Sequence, residues 1–279
     1  MSYKTVLVHV DSSRRAPVRI AIAADIARAH AAHLVGTAMT GISRYVFDSG
    51  AFNPKDPTFS HHLDHLRRHA NEGLARFDAL ATGAGVDQVE GRMVDDDAAG
   101  GIALQARYAD LTVIGQFDPS ETVPGLMSDF PEYVILHSGR PVLVVPYSGS
   151  FSGGFRKVVI GWDGGMAASR AISGALPLLA AADAVDIVVF NPEQDKDAHG
   201  EQPGADLALF LARHGVKANV HAHRADIDTG NALLSAAADL GGDLLVMGAY
   251  GHARLRELVL GGVTRTVLAS MTVPVLTAH

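Results

Sequence analysis

The sequence contains no cysteine. A disulfide framework and a Cys-x-x-Cys redox motif are therefore excluded. Disulfides are typical of oxidising compartments, so a chain without cysteine fits a reducing environment. We expect a cytoplasmic location.

Long apolar runs and clusters of basic residues are also missing. No uncharged apolar stretch approaches the ~18–20 residues that a transmembrane helix needs. The first residues, 1–11, are typical of a strand and lack the basic head and apolar stretch of a signal peptide. The formal net charge is −7. We therefore expect neither nucleic acid nor an anionic membrane as a partner.

Three common motifs of catalysis and cofactor binding are absent as well. The chain has no G-x-x-x-x-G-K-[ST] phosphate loop and no G-x-G-x-x-G dinucleotide fingerprint. Ser150 and Ser152 stand in a Gly/Ser-rich stretch that does not match the G-x-S-x-G nucleophile elbow. No nucleophile is paired with a base, so the sequence predicts no catalytic residues.

What the sequence does contain is an internal repeat. The stretch from Asp110 to Gly115 matches the stretch from Asp243 to Gly248, and Pro141-Val142-Leu143 matches Pro274-Val275-Leu276. Both pairs are separated by 133 residues, which indicates two copies of one plan. We predict a domain at 1–147, a flexible linker at 148–155 and a second domain at 156–279.

Each predicted domain alternates short apolar strands with helical stretches. Strands such as Val6–Val10 and Leu111–Gly115 are apolar on both sides, which is typical of a parallel sheet covered by helices. We predict an α/β protein with two tandem open, mainly parallel five-stranded sheets flanked by helices. The outer strands, 141–145 and 274–277, are expected to contact each other because edge strands need covering. This contact would make the chain an intrachain pseudo-dimer, and whole chains could pair further as a homodimer.

The second copy carries a glycine pattern at a strand end and at a helix start. The strand 244–248 is followed by Gly251, and Gly261 and Gly262 open a predicted helix after nine further residues. Glycine lets the backbone approach a ligand closely, and a helix N-terminus presents free N–H groups to phosphate. The pattern therefore predicts a phosphate site.

The spacing Gly248-x2-Gly251-x9-Gly261 closely resembles the nucleotide-binding signature of the universal stress protein family. The family has Ser or Thr after the last glycine, where this chain has Gly262. The resemblance covers nearly the whole chain and implies two fused adenine-nucleotide-binding, Rossmann-like domains. It also implies ATP, possibly with Mg²⁺ or Mn²⁺ held mainly by phosphate oxygens and water.

The candidate nucleotide-binding residues fall into two groups. Those expected near the nucleoside are Asp163, Gly164 and Val189. Those expected near the phosphates are Gly248, Gly251, Arg254, Gly261, Gly262, Val263 and Thr264, and Met247 is a further nucleotide-binding candidate. For Asp163 the alternative is a helix cap, for Val189 core packing, and for Arg254 a solvated loop.

The first copy lacks this glycine pattern. Only Gly115 remains, Asp118 replaces the second glycine, and Asp129 stands at the helix start. Carboxylates repel phosphate, so we expect the nucleotide site of this copy to be degenerate.

The fourteen histidines raise the question of a metal site. His61, His65 and His69 recur at four-residue steps and would share one face of a helix. Such a face could hold a metal ion or respond to pH, although most surface histidines do neither. We predict no metal ligand.

Two functions remain open from the sequence. The first is a stress-response protein that binds ATP or a related adenine nucleotide in its C-terminal domain. It would act as a regulatory binding protein with at most slow ATP hydrolysis, through protein partners that the sequence does not name. The alternative is an interaction scaffold of the same fold that binds no nucleotide. A third, weaker option is another phosphorylated metabolite, because a phosphate site does not by itself recognise a base.

Overall fold

The computed structural model describes residues 2–45, 57–194, 201–251 and 262–279. Strands and helices alternate along the chain. The first elements are β1 (Thr5–Val10), α1 (Ala16–His30), β2 (His33–Met39), α2 (Pro57–Gly83), β3 (Val89–Val94), α3 (Ala98–Ala106), β4 (Leu111–Gly115) and α4 (Phe130–Ser138). They are followed by β5 (Val142–Val145), β6 (Lys157–Gly161), α5 (Met166–Leu179), β7 (Ala184–Phe190), a short 3-10 turn (Pro192–Gln194), α6 (Ala205–Arg213), β8 (Asn219–His223), α7 (Thr229–Asp239), β9 (Leu244–Gly248), α8 (Gly262–Ser270) and β10 (Val275–Ala278).

The chain divides into two compact units, Ser2–Arg140 and Pro141–His279. The first unit has a parallel sheet in the order β3-β2-β1-β4. The second has the order β5-β10-β9-β6-β7-β8, parallel except for the β5–β10 pair. The prediction of an α/β protein with mainly parallel sheets is confirmed.

Strand β5 belongs to the second unit because it pairs with β10. The two strands run antiparallel, with Val275 opposite Val144 and Thr277 opposite Val142. The predicted contact between these two outer strands is therefore confirmed. The domain boundaries at residues 147 and 156 stay predictions, and so does the homodimer.

The repeat is visible in single hydrogen bonds. The Asp110 carboxylate accepts from the backbone N–H groups of Lys4 (2.7 Å) and Thr5 (3.0 Å) at the start of β1. The Asp243 carboxylate accepts in the same way from Arg156 (2.8 Å) and Lys157 (3.0 Å) at the start of β6. In both units, therefore, the aspartate that precedes one strand binds the backbone at the start of the neighbouring strand.

The central strands are buried on both faces. The side chains of Val6, Leu7 and Val8 in β1 are 0–1% exposed, as are those of Val158 and Ile160 in β6. Because both faces of each sheet are buried, a ligand can reach the sheet at the carboxyl ends of its parallel strands. Within the described ranges, none of the helices has the length and apolar character needed to cross a membrane.

Candidate functional site

Asp163 follows β6 and lies at the N-terminus of α5. Its carboxylate accepts a hydrogen bond from the Gly165 N–H at 2.8 Å, and Gly164 makes the turn between them with a φ of +74°. The carboxylate therefore supports the helix start, as the capping alternative expected. Asp163 is nevertheless half-exposed, so it can also face a ligand.

Gly248 ends β9 and lies directly against the first turn of α5. A Cβ at this position would be 2.4 Å from the Ala168 nitrogen and 2.9 Å from the Ala167 carbonyl carbon. These are main-chain atoms, which cannot move aside as a side chain can. Gly248 is therefore required for packing of helix against sheet, whatever it contributes to a ligand.

Gly251 brings the loop after β9 close to Asp163. A Cβ on Gly251 would be 3.5 Å from the Asp163 carboxylate oxygen Oδ2 and 3.5 Å from the Ala167 Cβ. Both are ordinary van der Waals distances. The ends of β6 and β9 thus place two of the predicted site residues side by side, although 88 positions separate them in sequence.

Helix α8 is tied to the same loop. The buried Thr264 hydroxyl oxygen accepts a hydrogen bond from the Tyr250 N–H at 3.2 Å, and Tyr250 has a φ of +56°. Thr264 therefore fixes the turn between β9 and the start of α8. Its predicted phosphate role stays a prediction.

The start of α8 has free space around it among the residues that the structure describes. Gly262 is exposed, and a Cβ added there would meet no described atom within 4 Å. Val263 behind it is half-buried. The first N–H groups of a helix have no acceptor within that helix. This end of α8 therefore offers donors and space together.

Val189 and Met247 lie within strands. Val189 is 0% exposed and is opposite Ala222 of β8, while Met247 is 5% exposed and lies between Gly161 and Thr277. Their side chains belong to the core, as the packing alternative for Val189 expected. A backbone contact of Val189 with adenine stays a prediction.

Two predicted site residues, Arg254 and Gly261, lie outside the described residues. Their roles stay predictions.

Sequence reasoning missed a buried charge cluster in the first unit. The Asp11 carboxylate, at the end of β1, lies 2.8 Å from the Nη2 of Arg19 and 3.5 Å from the Nδ1 of His9. His9 and Arg19 are each 2% exposed. The Arg19 guanidinium holds the pKa of Asp11 well below its ordinary value despite burial. Burial lowers the pKa of His9 to about 4. In the sequence, an arginine early in an apolar helix that follows a strand-end aspartate could have indicated this cluster.

The histidines of α2 form a pair and no larger cluster. The Nε2 atoms of His65 and His69 lie 3.1 Å apart, and the Nδ1 of His69 lies 3.6 Å from Glu72. Among the residues that the structure describes, no three His, Cys, Asp or Glu side chains are grouped to hold a metal ion.

Removing the Thr264 hydroxyl tests how the loop is held. We expect Thr264→Val to lower the free energy of unfolding by about 1 kcal/mol, because the half-buried Tyr250 N–H loses its acceptor. Thr277→Val is the matched control, since the Thr277 hydroxyl is buried without a hydrogen-bond partner among the described residues. Urea denaturation measures both variants. Equal stability of the two would show that the Thr264 contact contributes nothing.

Comparison with known proteins agrees with this architecture. A model of the universal stress protein family matches residues 2–146 and 154–279. Universal stress protein Slr1230 of Synechocystis sp. (strain ATCC 27184 / PCC 6803 / Kazusa) is 29% identical over 148 residues, which are 52% of this chain and 49% of that protein. The chain thus spans about half the length of that relative.

A solved structure that is similar over nearly the whole chain shows the same fold. A universal stress protein from Archaeoglobus fulgidus DSM 4304 is similar over 98% of this chain and 95% of its own, with a TM-score of 0.73 and 17% identity. Another from Archaeoglobus fulgidus, solved in complex with dAMP, is similar over 52% of this chain and 98% of its own, with a TM-score of 0.38 and 21% identity. Because the family model matches both halves, this chain belongs to the universal stress protein family.

Proposed function

We propose that the C-terminal half binds ATP or a related adenine nucleotide and acts as a regulatory binding protein of the stress response. The phosphates would lie at the start of α8, near Gly251 and Gly262. The nucleoside would lie near Asp163 and the backbone around Val189. Binding, rather than efficient catalysis, would be its activity.

The convergence of three segments carries this proposal. Asp163 follows β6, and Gly251 follows β9 where an added Cβ would lie 3.5 Å from the Asp163 carboxylate. Helix α8 is held to the same loop by Thr264. In parallel α/β sheets this edge is the usual place for ligands. A helix N-terminus with its free N–H groups favours the negative charge of a phosphate.

A metal ion would accompany a triphosphate mainly through the phosphates. The described residues contain no cluster of acidic or histidine side chains that could hold Mg²⁺ or Mn²⁺ alone. Mg²⁺ commonly keeps several waters and is bound through substrate phosphates with one or two carboxylates. The Asp163 carboxylate is the acidic group adjacent to Gly251 and is the candidate for such a contact.

Calorimetry tests the proposal directly. The purified protein is first heat-denatured, and any released small molecule is identified by mass spectrometry. It is then titrated with ATP·Mg²⁺, dAMP and GTP·Mg²⁺. We expect saturable binding of the adenine nucleotides and weaker binding of GTP. Protein that is empty and binds no nucleotide would support the scaffold alternative, and equal binding of all three would indicate a phosphate site without base recognition.

Gly262 offers a substitution that should improve binding. We expect Gly262→Ser to tighten ATP binding about tenfold, because a hydroxyl bonded to a charged phosphate contributes about 1.5 kcal/mol. The added Cβ meets no described atom within 4 Å, so folding should be unaffected. Gly154→Ser is the matched control, since Gly154 is also exposed and has the same free space. Unchanged affinity in Gly262→Ser would place the phosphates elsewhere.

A further inference from the structure

The two halves treat the same acidic residue differently. Asp11 and Asp163 each follow the first strand of the repeat and are both half-buried, and the Asp163 carboxylate accepts a hydrogen bond from the backbone N–H of Gly165. The Asp11 carboxylate is instead paired with the Arg19 guanidinium at 2.8 Å, and the two side chains are 9% and 3% exposed. The charge of the Asp11 carboxylate is therefore neutralised by Arg19.

Arg19 is held from a second side. Its Nε donates to the backbone oxygen of His9 at 2.8 Å. Its Nη1 lies against Gly115, where an added Cβ would be 2.6 Å away. Gly115 is the repeat partner of Gly248, which is covered by the first turn of α5. At the end of β4 the strand-end glycine thus contacts the buried Arg19 guanidinium, whereas at the end of β9 it contacts the backbone of α5.

The loop after β4 is fastened to the same region. The backbone N–H of Arg14 donates to the Glu121 carboxylate at 2.9 Å, and the Nη2 of Arg14 lies 3.5 Å from Asp118. Asp118 also accepts from the N–H and hydroxyl of Ser120, at 2.8 and 2.7 Å. Asp118 occupies the position of Gly251 in the repeat. The side chains that replace the glycines are engaged with their own chain.

We infer that Arg19 acts as an internal ligand that closes the N-terminal half to nucleotides, so that the chain has one nucleotide site. Its guanidinium occupies the strand end and pairs with the Asp11 carboxylate at 2.8 Å. A nucleotide would have to displace a buried ion pair and face the carboxylates of Asp118 and Glu121. The count of one site rests on the proposed function, whereas the closure by Arg19 does not.

Chemical rescue tests the closure without any nucleotide. We expect Arg19→Ala to lower the melting temperature by about 10 °C, because the buried Asp11 carboxylate loses its partner. Methylguanidinium at millimolar concentration should raise that melting temperature again by filling the vacated space, whereas methylammonium should do so less. Arg14→Ala is the matched control, because Arg14 also pairs with carboxylates but its side chain is 68% exposed. It should lose little stability and show no rescue.

A second variant covers the case in which Arg19→Ala fails to fold. Arg19→Met combined with Asp11→Asn removes both charges and should recover much of the lost stability. An Arg19→Ala protein as stable as Arg14→Ala, or a folded Arg19→Ala protein without rescue, would overturn the closure. So would a double variant no more stable than Arg19→Met alone.

Stoichiometry then tests the count. Titration of the unaltered protein with ATP·Mg²⁺ should give one site per chain, lost in Asp163→Ala and kept in the Arg19→Met and Asp11→Asn double variant. Two sites per chain would overturn the inference. No binding at all would reject the proposed function and leave the rescue experiment to decide the closure.

Discussion

Replacing Gly248 with alanine is expected to destabilise the second unit by about 3 kcal/mol. The new Cβ would lie 2.4 Å from the Ala168 nitrogen, closer than any real contact. No rotamer change relieves an overlap with main-chain atoms, so α5 or β9 must shift. Since α5 also carries the turn at Asp163, the shift should weaken ligand binding as well.

Urea denaturation of three alanine variants checks this expectation. Gly262→Ala should cost little, because its Cβ meets no atom of the described residues within 4 Å. Gly115→Ala should also be destabilising, because its Cβ would lie 2.6 Å from the Nη1 of Arg19, which is held in a buried ion pair with Asp11. Equal stabilities of Gly248→Ala and Gly262→Ala would show that α5 does not pack on β9 as the structure describes.

Acidification from pH 7 to pH 4 is expected to cost about 3 kcal/mol of stability through His9 alone. The pKa of His9 is lowered from 6.5 to about 4 by burial. Between these two values the unfolded chain binds a proton that the folded chain does not, so stability falls as the pH falls. The loss is complete below about pH 4. The pKa of Asp11 is also lowered, so its contribution is lost at still lower pH, below the ordinary aspartate value.

The free energy of unfolding measured by urea between pH 7 and pH 4 reports this effect. His9→Gln should flatten the pH dependence, even though the substitution itself costs some stability. His137→Gln is the control, because His137 is exposed on α4. An unchanged slope in His9→Gln would mean that other groups cause the acid loss.

Much of the fold followed from pattern alone. Short strands apolar on both sides, separated by helices, require a parallel sheet with covered faces, and the structure has such sheets in both units. The repeat was readable because the stretch from Asp110 to Gly115 matches the stretch from Asp243 to Gly248 at a spacing of 133 residues. Such a match between short stretches needs no tertiary information, whereas the contacts of Asp110 with Lys4 and of Asp243 with Arg156 appeared only in the structure.

The candidate site was less predictable. Gly248 was predicted as a ligand-binding glycine, but the structure shows that helix packing already requires it. Thr264 likewise carries a hydrogen bond to the loop that the spacing did not reveal. In each case the contacting residue, Ala168 or Tyr250, lies in another segment of the chain. A glycine motif does not show which residues pack against it.

The sequence by itself determined the α/β class, the repeat, the family and the strand ends at which a ligand should be sought. Only the tertiary structure showed that Arg19 neutralises Asp11 and that the Asp163 carboxylate accepts a hydrogen bond from the Gly165 N–H. The reason is physical. Strand and helix patterns depend on which positions along the chain are periodically buried, and the order of apolar and polar residues shows this within each short stretch. The availability of a carboxylate depends on which charge folding brings within 3 Å of it, and that distance exists only once the elements have packed.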